Sequence, residues 1–267
     1  MADVVVAGAA GRMGSRVVAC LQEEKALRLV GALEAPGHPA LGKDAGEVAG
    51  IGRAGVAITA DAEALLGQDR ILIEFSVPAA SLKHLRLAAA RGARAVIGTT
   101  GFSEAEREEI ARLAQRIPIL LSPNMSVGVT VALKVLAEMA TALGDEYDVE
   151  ITEIHHRFKK DAPSGTALRM AEVIAHALGR DLPGVAVHGR HGLAGERTRE
   201  EIGVLSLRSG DVVGEHTVSF GTLGERLELT HRAHCRDTFA RGALRAARFV
   251  AGAAAGLYSM QDVLGLK

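Results

Sequence analysis

The segment Glu153–Gly179, EIHHRFKKDAPSGTALRMAEVIAHALG, sets His155 beside His156, follows them with Lys159 and Lys160, and then runs Asp-Ala-Pro-Ser-Gly-Thr into a helical pattern. An imidazole exchanges protons near neutral pH, and an ammonium holds an anion as a point charge. Successive side chains on a strand face opposite sides, so His155 and His156 do not share a site unless the backbone bends there. The turn-rich RFKKDAPSG lets His155 and Lys159 converge on one ligand. Ser164 is a good N-cap for a helix beginning near Thr166, and the opening amides of that helix, from Gly165 and Thr166, suit a carboxylate. A proton donor, a cation and an anion-binding helix end fit a small acid that receives a hydride and then a proton. The same residues also fit a solvated polar loop ahead of a capped helix, and clustering alone does not choose between the two.

A second stretch carries chemistry of another kind. VVVAGAAGRMG places Gly8, Gly11 and Gly14 in G-x-x-G-x-x-G spacing between a β-branched run and a helical one, at the first β–α junction of the chain. Gly8 permits a tight turn, and Gly11 lets backbone approach a pyrophosphate that the helix N-terminus favours electrostatically. Glu34 ends the next strand roughly 20 residues on, where a carboxylate accepts hydrogen bonds from an adenosine ribose. GTTG (Gly98–Gly101) and SPNM (Ser122–Met125) end two later strands. Ligands of open α/β sheets lie at strand carboxyl ends, so these loops are placed to touch the nicotinamide half of a dinucleotide. The same features also fit a Rossmann-type sheet that binds another ligand, a solvated acid at the strand end and ordinary turn chemistry in the two later loops.

The elements that position these loops alternate. Strand-like runs at Asp3–Gly8, Leu27–Glu34, Arg70–Ser76, ARAVIGTTGF and Ile117–Asn124 are almost wholly apolar, as expected when helices cover both faces of a sheet. Pro78 opens one intervening helix, and Ser103 with Glu106 forms a capping box for another. The pattern predicts an α/β chain with a doubly wound, Rossmann-type parallel sheet over 1–126. VTVALKVLAEMATALG reads as a linking helix. Beyond Tyr147 the strands turn antiparallel in style, with DVVGEHTVSF and ERLELTHRAH joined by GTLG. DTFARGALRAARFVAGAAAGLYS reads as a small-residue helix.

Bulk properties exclude several function classes. The 267 residues carry 31 basic and 32 acidic groups with no long basic run, which argues against nucleic acid as a partner. Aromatics are 3% and Trp is absent, so the core must be aliphatic. Cys20 and Cys235 suggest no disulfide framework. The start lacks a basic leader, and no apolar stretch is expected to approach the roughly 18 residues of a bilayer span, so a soluble cytoplasmic protein is expected. HGRH (188–191) and HRAHC (231–235) lack zinc spacing with a second pair nearby, and no metal is expected.

GAAGRMG, EFSVPAA, VIGTTGF, SPNMSVGV, EIHHRFKKDAPSGTAL and GERLELTHRAHCRDTFARGALRAA stand in order along nearly the whole chain, and together they resemble the 4-hydroxy-tetrahydrodipicolinate (dihydrodipicolinate) reductase family. The resemblance implies a dinucleotide domain over 1–126, to which a C-terminal helix at 237–267 returns. It also implies a mixed α/β domain over 127–236 whose open sheet builds a homotetramer. The implied reaction is NAD(P)H-dependent reduction of a cyclic dicarboxylate to tetrahydrodipicolinate, in diaminopimelate and lysine biosynthesis. By motif position His155 resembles the catalytic proton donor and Lys159 its partner. His156, Gly165 and Thr166 resemble substrate contacts. Gly8, Ala9, Ala10, Gly11, Arg12, Met13, Gly14, Glu34, Gly98, Thr99, Thr100, Ser122, Pro123, Asn124 and Met125 resemble cofactor contacts. The chain departs from the pattern at Ala35, where many members carry arginine. That favours NADH while leaving NADPH possible through Arg12 or Arg53. Two competing readings share the glycine loop: another small-molecule reductase such as an amino-acid dehydrogenase, and a non-catalytic NADH-sensing module.

Overall fold

The structure, a computed structural model, describes residues 1–266. The elements run β1 (Ala2–Ala7), α1 (Gly14–Leu21), β2 (Leu27–Leu33), α2 (Ala45–Val48), β3 (Ile58–Thr59), α3 (Ala62–Leu65), β4 (Ile71–Glu74), α4 (Pro78–Arg91), β5 (Arg94–Ile97), α5 (Glu104–Ala114) and β6 (Pro118–Leu121). They continue with α6 (Val127–Leu143), β7 (Asp148–His155), α7 (Gly165–Ala177), α8 (Leu182–Val185), β8 (Ala186–Val187), β9 (Ile202–Arg208), β10 (Gly214–Thr222) and β11 (Glu225–Ala233). The chain ends with α9 (Asp237–Gly252), β12 (Gly256–Tyr258) and α10 (Met260–Leu264). Two compact units result, one from 1–127 with 236–267 and one from 128–235.

The first unit holds a seven-stranded parallel sheet in the order β12-β6-β5-β4-β1-β2-β3. Its strands are apolar throughout because both faces are buried. Val4, Val6, Ile71 and Ile73 pack with α1 and α9 on one face, while Val5, Ala7 and Leu72 pack with α4 and α5 on the other. Pro78 occupies the first turn of α4, and Ser103 with Glu106 forms the reciprocal capping box of α5. Chain order reverses between β1 and β4, so the crevice at their carboxyl ends is the topological switch point.

The C-terminal tail differs from the single helix expected over 237–267. The helix α9 stops at Gly252, and Gly256–Tyr258 then pair with Pro118–Leu120, adding β12 to the sheet edge. Helix α10 follows, opened by a capping box at Ser259 and Asp262. Alanine favours helix but Gly252 and Gly256 disfavour its continuation, and the free edge of β6 supplies the strand partner that composition does not announce. Asp237 at the start of α9 takes Arg16 of α1 in a two-pronged ion pair, at 2.6 and 2.8 Å.

The second unit holds a five-stranded sheet in the order β11-β10-β7-β9-β8. The three strands β7, β10 and β11 are antiparallel, as their alternation suggested, but β9 and β8 run parallel to β7 and make the sheet mixed. One face carries Val149, Ile151, Val204, Val218 and Phe220, packed against α6 and α7. Helix α6 corrects one expectation. The stretch Val127–Glu146 reaches a mean hydropathy of 1.5 and passes, by length and composition, as a membrane-span candidate. Leu136 and Ala140 of α6 are fully buried in the second core, and Lys134 pairs with Glu138 one turn on at 3.4 Å.

Candidate active site

In the first unit the expected cofactor residues all fall at strand carboxyl ends. Gly8 follows β1 with φ +72°, and a Cβ there would lie 2.5 Å from the Phe75 carbonyl oxygen, so both conformation and space demand glycine. A Cβ on Gly14 would stand 2.0 Å from the Gly8 oxygen, so glycine lets α1 start directly against the loop. Gly11 is exposed, and a Cβ there would meet only the Gly8 oxygen at 3.1 Å, leaving its outer side open to a ligand. Arg12 is exposed, while Ala9 is buried and Met13 precedes the first turn of α1. Past β2, the Glu34 carboxylate accepts the amide of Ala10 at 3.0 Å and that of Ala35 at 3.1 Å. One acid therefore braces the glycine loop and retains lone pairs for a ribose.

The turns after β4, β5 and β6 lie along the same edge. Thr99 is buried and its hydroxyl oxygen accepts from Ser76 N at 3.2 Å and from the Ser81 hydroxyl at 2.7 Å. A Cβ on Gly98 would strike the Phe75 ring at 2.1 Å, and Thr100 is exposed. The Ser122 hydroxyl donates to the Asn124 carbonyl at 2.7 Å, Pro123 is exposed and Met125 is buried. Sequence reasoning missed Phe75 and Ser76 as part of this edge, although EFSVPAA carried them. It also missed Glu74, wholly buried, which takes His84 at 2.8 Å and the Ser76 amide at 3.1 Å. A glycine cradle with open backbone, a braced acid and the switch-point crevice fit a dinucleotide.

In the second unit, β7 ends at His155, and the turn that follows frees His156 from strict strand alternation. His155 Nδ1 lies 2.6 Å from Glu153 Oε2. Glu153 has no exposed surface, and it also accepts from Arg208 Nη1 at 2.9 Å and from the Ser164 amide at 3.1 Å. Burial alone would raise the Glu153 carboxyl, but hydrogen bonds from Arg208, His155 and Ser206 together hold it below the usual range. Burial lowers the His155 imidazole, with the nearby charges of Lys159 and Arg208 adding to it, and Glu153 offsets only part of this. The downward shift favours the neutral ring, and a neutral ring turned to the Glu153 carboxylate through Nδ1 carries its proton there, leaving Nε2 as its acceptor nitrogen.

Ser164 caps α7, its hydroxyl oxygen taking the Ala167 amide at 3.1 Å, and α7 opens at Gly165 and Thr166. Lys159 pairs with the exposed Asp161 at 2.7 Å. His156 is half-buried, and its Nδ1 has no hydrogen-bond partner among the described residues. Proton donor, cation and helix start are thus gathered in one unit, within a segment of about a dozen residues. What sequence reasoning missed is their support: Glu153, two residues before His155 but read only as strand, Arg208 on an unassigned strand, and His216.

His216 sits opposite Glu153 on β10, with Nε2 2.9 Å from the Ser164 hydroxyl and its ring 5.2 Å from that of His155. Burial first, then the neighbouring His155, pushes its imidazole down to about 4. A histidine with a depressed folded pKa costs stability as pH falls, because the unfolded chain takes a proton near pH 6.5 and the folded one only near 4. Between those limits the loss grows, reaching about 2 kcal/mol by pH 5. Urea unfolding at pH 7 and pH 5 is expected to show His216→Gln losing less stability than wild type by that amount. An equal loss in both proteins would remove His216 as the cause.

A parallel sheet with a glycine cradle at its switch point, joined in one chain to a mixed sheet bearing an imidazole–carboxylate pair, fits a two-unit nicotinamide-dependent oxidoreductase. Residues 2–125 match the model of the dihydrodipicolinate reductase N-terminus, and residues 128–264 match that of its C-terminus. The chain belongs to the dihydrodipicolinate reductase family, whose members are NAD(P)H-dependent oxidoreductases. It is 55% identical to the 4-hydroxy-tetrahydrodipicolinate reductase of Citrifermentans bemidjiense and 52% identical to that of Syntrophus aciditrophicus, each over 100% of both chains. A dipicolinate-bound dihydrodipicolinate reductase from Paenisporosarcina sp. TG-14 shares the fold, with TM-score 0.74, 23% identity and 98% of both chains covered. An amine dehydrogenase from Mycobacterium smegmatis shares it more loosely, with TM-score 0.59, 17% identity and 97% and 95% of the two chains covered.

Proposed function

We propose that the protein reduces 4-hydroxy-tetrahydrodipicolinate, by way of dihydrodipicolinate, to tetrahydrodipicolinate, the reductive step of diaminopimelate and lysine biosynthesis in the cytoplasm. The observation that carries this reading is full-length likeness to reductases of that name, at 52–55% identity. It favours this substrate over those of amino-acid dehydrogenases of similar architecture, and an enzyme over a sensing module. The test supplies pyruvate, aspartate semialdehyde and the synthase that condenses them, then follows NADH absorbance. A steady fall dependent on the protein is expected, and no fall above background would overturn the reading.

In this reading the chain's own residues divide the work. The glycine loop Gly8–Gly14, Glu34, Gly98–Thr100 and Ser122–Met125 hold the dinucleotide. When bound, the reduced nicotinamide supplies a hydride. One substrate carboxylate rests on the amides of Gly165 and Thr166 at the start of α7, where the helix favours negative charge. Lys159 exchanges Asp161 for substrate, and His156, in the turn after β7, is a further substrate contact. The arriving dianion raises the proton affinity of His155, which then delivers a proton from Nε2 to the carbanion-like centre left by hydride addition.

Cofactor preference follows from Glu34 and Ala35. The Glu34 carboxylate suits two neutral ribose hydroxyls but repels a 2′-phosphate, and Ala35 brings no compensating cation. Losing one charge-assisted contact is worth about 1.5–3 kcal/mol, so roughly a 10- to 100-fold bias toward NADH is expected before Arg12 or Arg53 assists. Ala35→Arg is expected to shift the balance toward NADPH. Side-by-side titrations decide it, and tighter NADPH binding by wild type would sink the preference.

The oligomer reading rests on the second sheet. The nine-residue strand β11 is an open edge, and Leu207 is 49% exposed on the face away from α7. Long free strand edges invite pairing, and a closed homotetramer covers them. Light scattering at assay concentration is expected near four times 27.9 kDa, and a monomer alone would rule the tetramer out.

A further inference from the structure

We infer that Glu153 is a positioning residue for this reaction: its buried carboxylate fixes which nitrogen of His155 is presented outward and ties that ring to the start of α7. The inference rests on the reading of His155 as proton donor. The strand itself supplies the first argument. On the same face of β7, Val149 and Ile151 fill the core, so an apolar side chain is what this strand places there when packing is the only demand. Glu153 continues that row with no exposed surface. A carboxylate in such a place is unfavourable unless both oxygens are satisfied. Both are: Oε2 takes His155 Nδ1 at 2.6 Å and Arg208 Nη1 at 2.9 Å, and Oε1 takes the Ser164 amide at 3.1 Å.

The geometry has two consequences. With Nδ1–H committed to Glu153, Nε2 is the nitrogen left to exchange protons with a ligand. Through the Ser164 amide, the same carboxylate sets the spacing between the proton donor and the helix start proposed to hold a substrate carboxylate. A side chain that only needed to neutralise Arg208 would require neither bond.

The groups that set the charge of His155 come from each element around it. Glu153 lies on its own strand, Lys159 in the loop that follows, Arg208 on β9 and His216 on β10, while α7 contributes the neutral cap Ser164. Glu153 favours the imidazolium, whereas Lys159 and Arg208 oppose it. The two ends of the Glu153–Arg208 pair therefore act on His155 with opposite sign. A donor must be protonated, so turnover falls as pH rises through the imidazole's pKa in the complex. Glu153→Gln is expected to move that limb to lower pH, and Arg208→Gln to move it to higher pH, although both break the same ion pair.

The experiment compares wild type with Glu153→Gln, Glu153→Asp and Arg208→Gln. It reads kcat and KM against pH, and it reads the His155 tautomer by nitrogen NMR of labelled imidazoles, assigned through His155→Gln. Glu153→Gln is expected to lower kcat about 10- to 100-fold, to leave the KM for NADH unchanged, and to admit the second tautomer. Glu153→Asp keeps the charge and is expected to bring the limb back toward wild type. Limbs that move the same way in the Gln variants of both residues, or a Glu153→Gln protein with the wild-type tautomer and profile, would overturn the inference. Should Glu153→Gln fail to fold, the alkaline shift in Arg208→Gln and the tautomer in Glu153→Asp still decide it. A wild type without turnover would count against the proposed reaction, while the NMR reading would still judge Glu153.

Discussion

Replacing Lys159 with alanine is expected to lower turnover by roughly 10²- to 10⁴-fold, the range of a lost charge-stabilising group, with NADH affinity little changed. The side chain of Lys159 is only 18% exposed and ends against Asp161, which is 67% exposed. The Lys159 hydrogen bond, ahead of the other influences, holds the Asp161 carboxyl below its usual range. That pair does not keep Lys159 from a substrate. An ion pair with one partner this exposed is worth about 0–1 kcal/mol, less than the 1.5–3 kcal/mol typical of a hydrogen bond to a charged group. A dicarboxylate that also rested on the start of α7, as proposed above, would displace Asp161 readily. The substitution has a second signature: Lys159 lowers the His155 imidazole, so its removal is expected to move the alkaline limb of the pH profile upward. Steady-state kinetics against pH reads both effects, and a Lys159→Ala enzyme with near-normal kcat would remove this residue from the site.

The second large effect is expected at Gly14. A Cβ there would lie 2.0 Å from the Gly8 oxygen and 2.8 Å from Ala9 Cα, both backbone atoms that no rotamer change can move aside. The helix cannot simply slide away. Val17 and Val18 are buried against the sheet, and Arg16 holds Asp237 of α9. Gly14→Ala must therefore deform the loop itself, at a cost of about 1–3 kcal/mol or more in stability, with at least a 10-fold loss of NADH affinity as the amides leave their places. Gly67→Ala is the control, because an added Cβ there meets nothing within 4 Å. Denaturant unfolding and NADH titration of both variants test this. A Gly14→Ala protein that binds NADH like wild type would show that the loop yields more cheaply than its contacts imply.

Much of the first unit was legible because its rules are local. Apolar runs, Pro78 at a helix start, the Ser103–Glu106 box and glycines at a β–α junction each act within a few residues, and the chain reads them one at a time. The tight turn between β10 and β11 was legible for the same reason. The strand β9 was not, because nothing within IGVLSLR says that it will lie beside β7 rather than in a loop; β7 supplies its hydrogen bonds from about 50 residues away. The same holds for β12, which exists as a strand because β6 has a free edge. The candidate site divides along this line. His155, Lys159, Ser164 and the opening of α7 lie in one continuous segment, so their types and spacing alone drew attention. Their arrangement is set by sheet register, which brings His216 and Ser206 level with Glu153 and Arg208 level with His155. Sequence determined which titratable and cationic groups lie together in one segment ahead of a helix start. Only the tertiary structure decided that a buried carboxylate faces one nitrogen of His155, because cross-strand pairing is a non-local choice made by the whole sheet at once.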